Sequence, residues 1–225
     1  MLLRRAALSA CLAVFLANPA LVPSALAQGP ASPGPASPGP ASPGPANPNP
    51  AAVRRGAYVI EPSHTRGLFS VSHMGFTTWC GDFPGASGQL VLDAAHPAAS
   101  RLDVMVPIAG VSTTNAKLGE DLRSADWLDA GRFPTAMFHS THITLTGPTD
   151  AEVAGALTLH GVTRPVVLHA HFNGAGVNPL DHSYTTGFEV SGVVKRSEFG
   201  VSKYVPLVGD DTRLIISAAF EKAKG

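Results

Sequence analysis

The chain has 225 residues, among them 16 basic, 16 acidic, 23 Gly and 20 Pro. With Arg4 and Arg5 set aside as part of a leader, 14 basic face 16 acidic residues, a net charge of −2 with His neutral. That balance gives no electrostatic case for nucleic acid as a partner. No apolar run of about 18 residues follows the first 27, so no spanning helix is expected there.

Arg4 and Arg5 precede an apolar run over 6–22, and Ala25-Leu26-Ala27 stands before Gln28. This order is that of a secretory signal peptide over 1–27, which predicts a periplasmic or secreted protein. A lipoprotein reading of Leu8-Ser9-Ala10-Cys11 leaves only residues 6–10 as apolar core, short of the usual 7 to 15 or so. Cys11 leaves with the signal, so Cys80 has no intrachain partner and is expected as a buried thiol. From 28 to 53 the chain repeats GPASP at Gly29, Gly34 and Gly39, then GPANP at Gly44. Without charge or large apolar side chains such a segment builds no core, and its prolines favour a semi-rigid, extended linker. It is expected as a disordered linker, either a tether or an indifferent disordered leader.

The remainder, 54–225, is about 170 residues, within the size of one domain. Strands are expected over 57–61, around the Phe69, Val71 and His73 row, and over 88–93. Leu102, Val104, Val106 and Ile108 then alternate with Arg101, Asp103, Met105 and Pro107. Residues 115–130 place Leu118, Leu122, Ala125 and Leu128 at helical spacing, with Gly131 and Pro134 as the stop and Gly119 as a weak point. A strand over 135–145 follows. Val153, Gly155, Leu157 and Leu159 alternate up to the break at His160-Gly161. Beyond it Val166, Leu168, Ala170 and Phe172 alternate, with Pro165 at the strand entrance, so 157–166 form the centre of a long antiparallel hairpin. Strands over 184–195 and along Leu214, Ile216, Ala218 and Phe220 bring the total to about eight or more, with one helix to cover an end of the sheet.

Four phrases recur through this pattern. They are YVIEPSH at 58–64 with FSVSH at 69–73 and Gly81-Asp82-Phe83; LRSADWLDAGRFPTAMFHST at 122–141; HGVTRP at 160–165; and GFEVSGVVKRSEFG at 187–200. In this order and spacing they resemble the YceI-like family of polyisoprenoid-binding proteins, over essentially all of 58–221. The resemblance implies an all-β domain, an eight-stranded antiparallel lipocalin-like barrel with a short helical insertion, whose lumen holds a long isoprenoid chain. Where relatives carry an Arg-Asp pair and then His-Leu, this chain has Leu118-Gly119 and then Asp121-Leu122, while Leu122, Arg123 and Ser124 are retained.

A barrel of this size holds one slender ligand, and the candidates for its lining follow from the inward rows. They are Phe69, Val71 and Phe76; Leu90 and Leu92; Val104, Val106 and Ile108; and Trp127 with Phe138. Leu157, Leu159, Phe188, Val190 and Ile216 complete the apolar set, the alternative being a filled core. His64, His73, Arg123 and Arg196 are the polar candidates for a headgroup, since a guanidinium pairs with a phosphate or a quinone oxygen. Arg196 has a rival role in holding Glu198 or backbone carbonyls.

His169 and His171 share one strand face, and His139 and His142 form a looser pair, but two ligands do not make a structural zinc site. Solvated strand histidines are expected, and no metal or cofactor beyond the lipid or quinone ligand. Ser63-His64 with Asp82, or His73 with Asp103, can be written as a hydrolase set, yet no Gly-x-Ser-x-Gly elbow or His-Glu-x-x-His occurs. The favoured reading is a non-enzymatic barrel that binds, stores or transports a polyprenyl phosphate or quinone. The alternatives are a secreted hydrolase and a structural partner-binding module, and edge strands or Cys80 leave a homodimer open.

Overall fold

In the computed structural model, which describes residues 44–224, the alternating segments form ten strands of one antiparallel sheet. They are β1 (Gly56–Ile60), β2 (Arg66–His73), β3 (Thr77–Phe83), β4 (Ser87–Leu92) and β5 (Arg101–Pro107), then β6 (Thr135–Leu145), β7 (Asp150–Leu159), β8 (Val162–Val177), β9 (Tyr184–Lys195) and β10 (Asp211–Lys222). Neighbours run β1-β4-β5-β6-β7-β8-β9-β10, and β1 pairs back onto β10, which closes a barrel of eight positions. The two extra strands are halves of interrupted ones. β1 pairs with β10 through Tyr58↔Lys222 and Ile60↔Phe220, and β2 continues along the same strand from Ser217↔Arg66 to Arg213↔Ser70.

The interruptions have local causes. After Ile60 the Glu61 carboxylate accepts from the backbone N–H groups of Ser63 and His64 at 2.9 and 2.8 Å, a self-capped turn that Pro62 cannot join as a donor. After Phe83, Pro84 and Gly85 part β3 from β4, with Gly85 at φ 78°.

The hairpin of β7 and β8 closes as expected, with Leu159 opposite Val162. His160 and Gly161 both have positive φ, 52° and 74°, the geometry of a two-residue hairpin turn that matches strand twist. A side chain at Gly161 would run into the Phe133 ring, which ties the HGVTRP phrase to Phe133-Pro134. His160 is a turn residue: its Nδ1 lies 3.1 Å from the Phe199 carbonyl and its ring packs edge-on to Phe133.

Two bulges shift the inward rows. On β6 the register slips between Ser140 and His142, so inward residues pass from Phe138 and Ser140 to Ile143 and Leu145. Buried Ser140 accepts from the Leu102 N–H at 2.8 Å, which satisfies both groups inside the wall. A second slip on β8 lies between Phe172 and Gly174.

Only part of the expected helix forms. Helix α1 (Ala116–Arg123) is capped by the Asn115 side chain, which accepts from Leu118 N–H at 3.1 Å. It stops at Arg123 because Ser124 is extended, and the carbonyls of Leu122, Arg123 and Ser124 then accept from Leu128, Ala130 and Asp129 in tight turns. α1 and these turns cover one end of the barrel, where Phe69, Ile108, Val111, Leu128 and Val201 form a dense cluster.

Two further expectations change. Cys80 is exposed rather than buried, because it shares the outer face with its cross-strand neighbour Ser70 while Trp79 and Gly81 take the opposite one. The end of the Pro-rich segment is not structureless: Asn47 pairs with Ala175 of β8, Pro50–Ala52 form a short 3-10 turn, and Val53 is buried. Positions 1–43 lie outside the described residues, and with them the expected signal peptide and the start of the repeat.

Candidate functional site

The barrel encloses a cavity of about 460 Å³, within the range of small-molecule sites. Its wall is built by the period of two along each strand, which delivers Leu90 and Leu92, Leu102 and Val104, Leu157 and Leu159, Phe188 and Val190, and Ile216 and Ala218 to one side. Aromatic contacts stiffen it: Phe188 meets Phe172 at 5.6 Å and Phe220 at 6.0 Å between ring centres.

Of the residues nominated from sequence, Phe69, Val71, Leu90, Leu92, Val104, Val106, Ile108, Trp127, Phe138, Leu157, Leu159, Phe188, Val190, Arg196 and Ile216 stand in this wall. Three lie elsewhere. Phe76 projects from the β2–β3 turn and is 84% exposed, His73 lies on the exposed end of β2 and pairs through its backbone with Val208, and Arg123 donates from Nη1 to the Val111 carbonyl at 2.9 Å. His64 is also outside, its Nδ1 2.6 Å from the Glu61 carboxylate. Sequence reading left out Ile143 and Leu145, which the β6 bulge turns inward, and Pro50 and Val53, which it assigned to the linker.

The two ends of the cavity differ. At the helix end, the buried cluster of Phe69, Ile108, Val111, Leu128 and Val201 fills the opening. At the opposite end exposed Leu145 and Pro148, with Pro97 beside them, are part of the wall, so the cavity meets solvent there. Asp93 and Asp150 stand on this rim. Backbone N–H donation from His96 holds the Asp93 carboxyl below its usual range, and the hydrogen bond from His171 does the same for Asp150, so both are carboxylates at neutral pH.

Arg196 is the one guanidinium in the wall among the described residues, and it is 7% exposed. Its Nε donates to Gly209 O at 2.9 Å, Nη1 to Val201 O at 2.8 Å, and Nη2 to Lys203 O and Val208 O at 3.0 and 2.8 Å. Burial lowers its pKa, which nearby Asp210 partly opposes. The group also lies 5.4 Å from the Trp127 ring centre. Its geometry is that of a clasp tying the 197–210 loops to the barrel; only one N–H is left for anything in the lumen.

The groups that could be written as hydrolase sets lie outside the wall. His64 contacts Glu61, Asp82 is 3.0 Å from Arg66, and Asp103 pairs with His139. His169 and His171 face outward beside Glu152 and Asp150, at 3.9 and 2.8 Å.

The sequence profile of the YceI-like domain matches residues 58–220. A UPF0312 protein of Azotobacter vinelandii is 38% identical over 162 residues, 71% of this chain and 84% of its own length. The crystal structure of Burkholderia cenocepacia BcnA superposes with a TM-score of 0.65 at 22% identity, covering 71% of this chain and 98% of that one. A polyisoprenoid binding domain from Saccharophagus degradans superposes with a TM-score of 0.55 at 10% identity, covering 76% and 100%. These two structures share the fold.

Proposed function

The chain belongs to the YceI-like domain family, and on that premise we propose that its barrel binds a long-chain isoprenoid lipid, a polyprenyl phosphate or a quinone, within the lumen. One observation carries the reading: the 460 Å³ cavity is walled almost wholly by aliphatic and aromatic side chains. Each methylene-sized group moved from water into such a wall gains about 0.8 kcal/mol before ordering costs. A slender chain of many such groups therefore binds without a dedicated polar site. The lipid enters past Pro97, Leu145 and Pro148, because the helix end is packed.

The protein stores or carries the lipid in the periplasm or outside the cell and leaves it chemically unchanged. The separation of His64, Asp82, His73 and Asp103 from the wall supports that last point. Titrating the purified protein with an environment-sensitive fluorescent polyprenol tests the proposal. Saturable binding of one probe per chain, displaced by unlabelled polyprenol, is expected; signal that rises without saturation, or none, overturns it.

A further inference from the structure

β8 is longer than its partner β7. The ladder between them ends at Asp150↔His171, with one further bond from Phe172 N–H to Thr149 O, yet β8 continues to Val177. The overhang would leave a bare strand edge. Residues from the end of the Pro-rich segment fill it: Asn47 N–H donates to Ala175 O at 2.8 Å and Ala175 N–H donates to Asn47 O at 3.0 Å. The track is made by two glycines. A Cβ on Gly176 would lie 2.5 Å from the Pro45 carbonyl oxygen, and one on Gly174 3.2 Å from the Asn47 oxygen.

From this edge the chain crosses the open end of the barrel. The Asn49 side chain caps Ala51 N–H at 3.1 Å, and Val53 packs on Phe172 and Ala175 with Leu92, Ala94, Tyr184 and Phe188 around it. The far side is fastened by Arg54, whose guanidinium sits 4.2 Å over the Tyr184 ring and whose carbonyl accepts from the Tyr58 hydroxyl. Burial and the neighbouring Tyr184 push the Tyr58 phenol up to about 12, so it remains a donor at neutral pH. Pro50 and Val53 are thereby part of the cavity wall.

We infer that residues 47–53 are a strap across the cavity mouth that helps hold the lipid and slows its departure. The strap lies outside the residues 58–220 that match the family. The inference rests on the lipid-binding reading above. Its ligand class is an aliphatic chain, since Pro50 and Val53 offer apolar surface where the chain must pass.

The test loads the full chain with a dansyl-labelled polyprenol and follows its release into an excess of phosphatidylcholine vesicles. Asn47→Pro removes the strap's donor to Ala175, and Gly176→Val blocks the track. Faster exchange of the Ala175 amide identifies a released strap. Strap-released variants are expected to lose the probe about tenfold faster than the parent, the loss of roughly two apolar groups from the wall. If Gly176→Val fails to fold, Asn47→Pro carries the test, because Asn47 is exposed. A loaded parent whose strap-released variants discharge at its own rate overturns the inference. A parent that never loads overturns the lipid-binding reading and the strap's role with it.

Discussion

Ala170→Trp is expected to weaken polyprenol binding about a hundredfold while leaving the barrel folded. Ala170 lies midway along β8, between Ala151 of β7 and Val190 of β9, and all three belong to the cavity wall. An indole at this position projects into the space the lipid would occupy and excludes several methylene-sized groups. In a filled core such an insertion costs about 1–3 kcal/mol in strain, but here a void receives the ring, so the melting temperature stays close to the parent's. His169→Trp is the matched control. It places the same ring on the outward face of the same strand, where His169 is exposed, and is expected to leave affinity unchanged. Probe titration with thermal denaturation on both variants measures the pair. Full affinity in a folded Ala170→Trp protein would place the ligand outside the lumen.

Arg196→Ala is expected to cost about 3 kcal/mol or more of stability, the scale of several buried acceptors left short of donors. Removing the side chain takes hydrogen bonds from the Gly209, Val201, Lys203 and Val208 carbonyls together and withdraws the cation beside Trp127. Arg196→Lys keeps the charge but lacks the planar fork that reaches four carbonyls, so it recovers less than half of the loss. Denaturant unfolding gives the stabilities, and probe titration below the transition gives the affinity of the folded protein, which stays at the parent's value. A variant with parental stability and weakened binding of a polyprenyl phosphate would give Arg196 a headgroup role.

Much of the fold was legible because a half-buried strand writes its period of two directly into the residues. The strands over 135–145 and 184–195 were read to the residue, and the His160-Gly161 turn was explicit in the break between two alternating rows. The closed eight-position barrel came with the family phrases, because hydrophobic alternation does not say which strands pair. The failures share a different physics. The β6 bulge at 140–142 adds one residue, and extrapolating from Phe138 then puts Ile143 and Leu145 on the wrong face. The helix stops early because the turns after Arg123 satisfy its carbonyls, a backbone arrangement that Leu spacing does not encode.

The Pro-rich segment shows the limit of composition most plainly. It lacks the apolar residues for a core of its own, yet its end is held by backbone hydrogen bonds to an overhanging strand and by room that Gly174 and Gly176 leave open. Both features belong to β8, well over a hundred residues away along the chain. For the cavity, the inward rows were readable, whereas the choice between a filled core and a void was not: volume depends on how ten strands close, not on any one of them.

Lipid extraction and native mass spectrometry of the protein purified from its own source would reveal whether the barrel carries an isoprenoid. One long-chain isoprenoid per chain is expected, retained through purification and lost on denaturation. Protein recovered empty that also takes up no added polyprenol would contradict it.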